Sequence, residues 1–193
     1  MPAQPLRLAI IIGSTRRGRF GPTVATWFAG IAAQHESFEV DVIDLVEADL
    51  PHQFKDFSEQ APDEVAAFAP RLALADAFVV VTPEYNHSFP GSLKDAIDWY
   101  SLEWQAKPVG LVSYGGLAGG LRAVEHLRQV FAEVHAVTMR DTVSFHSAYE
   151  CFGTDGAPVD PESCGQAAKT LLDQLRWWAL ALRTARDERP YGA

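Results

Sequence analysis

Short apolar runs alternate with amphipathic segments along most of the chain. The apolar runs have the length and continuous apolar character of buried parallel strands. They predict five strands, at residues 6–13, 38–45, 77–82, 108–114 and 136–145. Five other segments have helical spacing and predict helices at residues 23–34, 63–75, 93–102, 121–134 and 163–186, while residues 151–162 indicate a long loop. Strand and helix therefore alternate from one end of the sequence to the other.

This alternation predicts an α/β fold. Right-handed crossovers between parallel strands place helices on both faces of the sheet, which makes the sheet doubly wound. Five strands and five helices fit the flavodoxin-like fold, whose parallel sheet has the strand order 2-1-3-4-5. Ligands of such sheets bind beyond the carboxyl ends of the strands, where the order reverses. The length of 193 residues fits a single domain, residues 1–193.

A basic loop, residues 13–20, follows the first predicted strand. With the next two residues it reads Gly13-Ser-Thr-Arg-Arg-Gly-Arg-Phe-Gly-Pro22, and Pro22 suits the first turn of a helix. Unpaired N–H groups and a helix N-terminus favour a phosphate monoester here. Hydroxyls and positive charges come from Ser14, Thr15, Arg16, Arg17 and Arg19. The glycine spacing fits neither the P-loop nor the dinucleotide fingerprint. Alternatively, these arginines are solvated surface charges and the glycines only serve the turn.

The loop after the third predicted strand has the chemistry to hold a flat polar heterocycle. Tyr85 or Phe89 can shield a ring face, and Asn86 can both donate and accept hydrogen bonds. Backbone N–H groups after Pro83 can bond ring nitrogens or carbonyl oxygens. Alternatively, Pro83 and Pro90 fix a turn, and Tyr85 belongs to the core.

A glycine-rich loop follows the fourth predicted strand. The segment Ser113-Tyr-Gly-Gly-Leu-Ala-Gly-Gly120 has four glycines in eight positions, which lets the main chain approach a ligand closely. A flexible lid or a tight bend is the alternative explanation. No neighbour in the sequence orients a catalytic base at the histidines His52, His87, His126 and His146.

Composition and charge exclude several classes of partner. The net charge of −9 argues against nucleic acid and against an anionic membrane surface. Cys151 and Cys164 are too few for a disulfide framework and wrongly spaced for zinc, so we expect no metal. The amino terminus has no signal-peptide pattern, and a cytoplasmic protein is expected. Trp177 and Trp178 give the last helix apolar residues on more than one face, which indicates either a subunit contact or packing on the sheet.

Three segments together resemble the NAD(P)H-dependent FMN reductase family. They are GSTRRGRFGPTVATWF, TPEYNHSFPGSLKDAIDWYSLEW and SYGGLAGGLRAVEHLRQVF, and the similarity spans about residues 6–134. The resemblance implies that FMN phosphate is bound by Ser14, Arg16, Arg19, Phe20, Gly21 and Pro22. It implies that the isoalloxazine ring is held by Pro83, Glu84, Tyr85, Asn86 and Ser88. It implies that the glycine-rich loop borders the flavin through Ser113, Tyr114, Gly115 and Gly116.

One position departs from the family pattern. Members commonly have asparagine where Gly21 stands, so a polar contact is either missing or supplied by Arg19 or the backbone. The resemblance further implies non-covalent FMN and a homodimer or homotetramer.

The implied activity is hydride transfer from NADPH or NADH through FMN to a small acceptor such as a quinone, azo compound, flavin or metal oxyanion. It needs no catalytic side chain, only positioning by Tyr85, Asn86 and Gly115. A flavodoxin-type electron carrier and a flavin-free interaction protein are the alternatives. The choice between NADH and NADPH and the natural acceptor are left open by the sequence.

Overall fold

A five-stranded parallel sheet organises the computed structural model, which describes residues 4–56 and 58–192. The strands are β1 (Leu6–Ile12), β2 (Phe38–Asp44), β3 (Ala77–Pro83), β4 (Pro108–Tyr114) and β5 (Val137–Phe145). Their spatial order is β2-β1-β3-β4-β5. This confirms the predicted flavodoxin-like fold with strand order 2-1-3-4-5.

Helices connect the strands and cover the sheet. They are α1 (Gly21–Ala33), α2 (Leu45–Ala48), α3 (Asp63–Leu74), α4 (Gly91–Asp98), α5 (Leu121–Glu133) and α6 (Pro161–Glu188), with one 3-10 turn at Ala148–Glu150. The single turn α2 was not predicted; the Asp44 side chain caps it by accepting from the Val46 N–H at 3.0 Å. Helix α4 ends before the predicted residue 102. It ends at Asp98, and the indole of the next residue, Trp99, donates to the Pro51 carbonyl at 2.8 Å.

Each face of the sheet has its own apolar core. On one face, Leu8 and Ile10 of β1 pack in a cluster with Phe28 of α1 and Leu171 of α6. The other face buries the alternate residues of the same strands with α3, α4 and α5. Strands β3 and β4 are buried at every position, whereas the edge strands β2 and β5 are only partly buried. Burial on both faces explains the continuous apolar runs of the central strands.

The strand register brings three loops together at the carboxyl edge of the sheet, which is the side where the carboxyl ends of the strands lie. Ile12 of β1 pairs with Val81 of β3, and Pro83 of β3 pairs with Tyr114 of β4. These pairs lie at or near the carboxyl ends of their strands. The basic loop, the loop after β3 and the glycine-rich loop therefore leave the sheet side by side.

Within residues 4–56 and 58–192, no helix combines the length and the apolar character needed to cross a membrane. In the same part of the chain, no three His, Cys, Asp or Glu residues form a group that could hold a metal ion.

Candidate functional site

A short hydrogen bond joins the basic loop to the loop after β3. The Ser14 hydroxyl lies 2.6 Å from the Tyr85 hydroxyl, although 71 positions separate the two residues. Ser14 is fully buried, and its oxygen also accepts from the Arg16 N–H at 3.4 Å. The Gly13 N–H donates to the Val81 carbonyl of β3 at 2.9 Å. The structure thus brings together two segments that the sequence assigned to one ligand.

The basic loop leads into a helix whose positive end is uncapped. Phe20 is the N-cap residue of α1, and its side chain makes no capping hydrogen bond. Pro22 lies in the first turn, which contains no acidic residue. Because free N–H groups and the helix dipole both favour negative charge, this end of α1 can bind an anion.

The three arginines of the basic loop have different surroundings. Arg16 and Arg17 are exposed, and their guanidinium groups bond no other residue in the described part of the chain. Arg19 instead forms an ion pair with Asp44, at the end of β2; both side chains are 16% exposed. The Arg19 Nε atom is buried and lacks a hydrogen-bond partner among the described residues. Two exposed cations and one buried donor without a partner among the described residues therefore lie near the start of α1.

Gly21 packs closely against the Tyr114 hydroxyl. A Cβ atom built on Gly21 would lie 2.9 Å from the Tyr114 hydroxyl oxygen and 3.0 Å from a methyl carbon of Ile12. Burial raises the pKa of Tyr114, and the nearby phenol groups of Tyr85 and Tyr149 raise it further. The tyrosine hydroxyl thus occupies the space that a side chain at position 21 would need.

The loop after β3 contains a tight two-residue turn. Tyr85 and Ser88 exchange backbone hydrogen bonds of 2.7 and 3.1 Å. Between them, Asn86 and His87 have φ values of 50° and 71°, in the left-handed region. Such turns usually contain glycine, and strained backbone of this kind is concentrated at functional sites. Asn86 and His87 project into solvent at the tip of the turn.

Two predicted flavin contacts clamp this turn to α5. The Glu84 carboxylate accepts from the Arg122 N–H at 3.2 Å and pairs with the Arg122 guanidinium at 2.5 Å. The same guanidinium donates to the His87 ring at 2.7 Å, and the Ser88 hydroxyl lies 3.1 Å from the His126 ring. His87 and His126, which have no orienting neighbour in the sequence, therefore have partners in the fold. Glu84 and Ser88 fix the position of the turn.

A buried hydrogen bond from the end of β4 holds the glycine-rich loop in place. The fully buried Ser113 hydroxyl donates to the Gly119 carbonyl at 2.8 Å. Gly119 and Gly120 have φ values of 59° and 88°, which side chains rarely adopt, and a Cβ on Gly120 would lie 2.6 Å from the Ser113 Cβ. Gly116 faces open space, with no atom within 4 Å of an added Cβ. Ser113 is therefore an anchor, while Gly116 leaves the main chain accessible.

A fourth segment at this edge was missed in the sequence. After β5, the Ser147 and Ala148 N–H groups donate to the carbonyls of Gly116 and Gly115, each at 2.9 Å. The next residue, Tyr149, places its ring 4.9 Å from that of Phe20. One indication of this segment was present in the sequence, namely that it follows the carboxyl end of β5, another parallel strand.

These features fit a phosphate monoester attached to a flat ring. The uncapped helix, the exposed arginines and the orphaned Arg19 Nε suit the phosphate. The half-buried Tyr85, the exposed Asn86 and the open main chain at Gly116 suit the ring. The fold and this edge define the class: a flavodoxin-like α/β protein whose first loop has the charge and the free N–H groups to suit a phosphate.

Comparison with known proteins narrows the class to a family. The family described as NADPH-dependent FMN reductase matches residues 6–150. A 2-hydroxy-1,4-benzoquinone reductase from Burkholderia is 31% identical over 179 residues, 90% of this chain and 96% of the relative. A quinone reductase from Escherichia coli is 38% identical over 144 residues, 71% of this chain and 75% of the relative. The solved structure of FerB from Paracoccus denitrificans, a flavoenzyme NAD(P)H:(acceptor) oxidoreductase, has a TM-score of 0.73 and 26% identity, covering 91% of this chain and 98% of that chain.

The chain belongs to the NADPH-dependent FMN reductase family. Membership confirms the resemblance stated from the three sequence segments. It also confirms the prediction that the protein is an oxidoreductase with FMN as cofactor and NAD(P)H as co-substrate.

Proposed function

We propose that the carboxyl edge of the sheet holds FMN with its phosphate on the basic loop. The main support is the Ser14–Tyr85 hydrogen bond of 2.6 Å, since it joins the loop suited to phosphate with the loop suited to the ring. The proposed phosphate contacts are Ser14, Arg16, Phe20, Gly21 and Pro22, together with Arg19. We assign Arg19 mainly to fixing the loop, because its charge is paired with Asp44.

The flavin ring is proposed to lie between the loop after β3 and the glycine-rich loop. Pro83, at the buried end of β3, starts the first wall. Tyr85 and Asn86 orient the ring, and Glu84 and Ser88 keep their turn in place through α5. The second wall comprises Tyr114, Gly115 and Gly116, and the buried Ser113 anchors it. Gly116 lets a second flat molecule approach.

The proposed reaction passes a hydride from NADPH or NADH through FMN to a small acceptor. When bound, FMN supplies the hydride-transfer chemistry, so the protein needs no nucleophile. The side chains at this edge hold reactants at contact distance and in the correct orientation. The named relatives from Burkholderia and Escherichia coli support a quinone as acceptor. Azo compounds, free flavins and metal oxyanions are the other acceptors to test.

Anaerobic stopped-flow absorbance tests this function. FMN-loaded protein is mixed with NADPH or NADH, and the loss of the visible absorbance of the flavin is recorded. The reduced protein is then mixed with a benzoquinone, an azo dye, free FMN or chromate. The proposal expects rapid bleaching by one nicotinamide and recovery of colour with the quinone. Bleaching that takes hours, or a protein that does not retain FMN, would contradict it.

We also propose a homodimer or homotetramer. Trp177 and Trp178 of α6 are 63% and 38% exposed, which supports an apolar contact between subunits. Sedimentation velocity of the wild-type chain and of Trp177→Lys tests this, with a monomeric wild type contradicting it. Action as one domain over residues 1–193 and a cytoplasmic location are further predictions from the sequence.

A further inference from the structure

Tyr149 stands beside the basic loop, yet neither the motifs nor the flavin contacts proposed above include it. Its side chain is 76% exposed. Its ring centroid nevertheless lies 4.9 Å from that of Phe20, with 53° between the ring planes. Phe20 is the last residue of the basic loop and the N-cap of α1. An exposed aromatic ring thus stands next to an uncapped, positive helix end.

The backbone around Tyr149 is held firmly in this position. Ser147 and Ala148 bond the Gly116 and Gly115 carbonyls at 2.9 Å each, which ties the segment to the glycine-rich loop. Ser147 has a φ of 45°, in the left-handed region, where a non-glycine residue costs about 1–2 kcal/mol. A conformation of that cost persists only when its surroundings determine it. The position of Tyr149 is therefore specified by the fold.

Other aromatic rings pack around Phe20, the residue that Tyr149 contacts. The Phe20 ring packs against Tyr114 at 6.0 Å and against Phe152 at 5.4 Å. Burial raises the pKa of the Tyr114 phenol, with smaller contributions from Tyr85 and Tyr149. Since Tyr85 also bonds Ser14, three tyrosines surround the start of α1.

We infer that Tyr149 is the outer wall of the phosphate site, where its ring shields the contacts between the FMN phosphate and the basic loop from water. This inference rests on the function proposed above. Interactions between charges are stronger when water is excluded, because the local dielectric constant is lower. The wall therefore strengthens binding of the charged phosphate monoester FMN and has little effect on riboflavin, which lacks the phosphate.

Titrations of the flavin-free protein with FMN and with riboflavin test this wall. Quenching of flavin fluorescence gives each Kd at low and at high salt, for the wild type, Tyr149→Ala, Tyr149→Phe and Tyr191→Ala. Tyr191 is a matched control, because it is also exposed (50%) but lies on His135, near the start of β5 at the opposite edge of the sheet. Circular dichroism confirms that each variant is folded.

If Tyr149 forms this wall, only the Tyr149→Ala variant loses affinity, and it loses affinity for FMN but not for riboflavin. Tyr149→Ala raises the Kd for FMN about tenfold and makes it more sensitive to salt, while its Kd for riboflavin stays within about twofold. Tyr149→Phe and Tyr191→Ala stay within about twofold of the wild type for both ligands. Equal losses for FMN and riboflavin in Tyr149→Ala, or unchanged FMN binding, overturn the inference alone. A wild-type chain that fails to bind FMN overturns the proposed function as well.

Discussion

Replacing Gly21 by alanine tests whether this position is reserved for the Tyr114 hydroxyl. The added Cβ would approach that oxygen to 2.9 Å and an Ile12 methyl carbon to 3.0 Å, both closer than ordinary contacts. Overpacking of a well-packed site costs about 1–3 kcal/mol. Alanine in place of glycine in a helix returns about 0.5–1 kcal/mol. We expect Gly21→Ala to lower the free energy of unfolding by about 1–2 kcal/mol.

A double-mutant cycle isolates the cause of this loss. In a Tyr114→Phe background the hydroxyl is absent and only the Ile12 contact remains, so Gly21→Ala costs about 1 kcal/mol less than in the wild type. Urea unfolding followed by circular dichroism measures all four proteins. Gly30→Ala is the matched control, because Gly30 lies in the same helix with no atom within 4 Å of an added Cβ. It is expected to stabilise the protein by about 0.5–1 kcal/mol. The same cost for Gly21→Ala in both backgrounds would refute the explanation.

Three further predictions concern the clamp, a buried lysine and the bond between loops. Arg122→Met leaves the nearly buried Glu84 carboxylate without its cation, so we expect the free energy of unfolding to fall by about 1–2 kcal/mol. This value is smaller than for a fully buried pair because Arg122 is half exposed. Adding Glu84→Gln should restore part of the lost stability in urea titrations. Burial lowers the pKa of Lys107 from 10.5 to about 8. The unfolded chain then binds more protons between these values, so stability rises with pH across that window, and Lys107→Met should lack the rise in unfolding titrations. Ser14→Ala and Tyr85→Phe each remove the 2.6 Å bond, so their effects on FMN affinity should be non-additive by about 1 kcal/mol in fluorescence titrations; full additivity would mean that the bond does not support binding.

The sheet was predictable because its signal is local. Strands β3 and β4 are buried at every position, and β1 is buried everywhere except at Arg7, so each of them contains a mainly apolar run in the sequence. Helix α2 escaped prediction because four residues cannot show a helical period; only its cap at Asp44 marks it. The end of α4 was misplaced; the residue after it, Trp99, is held by a hydrogen bond to Pro51 that spans 48 positions and that no local pattern encodes.

The site was predictable as a set of loops, but the partners within it were not. Parallel strands end at one edge, and this alone brings Ser14 to Tyr85. By contrast, Arg19 meets Asp44 and Glu84 meets Arg122 through tertiary contacts that no local pattern encodes. Tyr149 was missed for the same reason, since its segment is positioned by the glycine-rich loop.

A crystal structure of the protein with FMN tests the central claim most directly. The account predicts phosphate density at the N-terminus of α1, within hydrogen-bond distance of Ser14 and Arg16, and ring density against Tyr85 and Asn86. FMN bound at another face of the sheet, with the basic loop contacting only solvent, would contradict it.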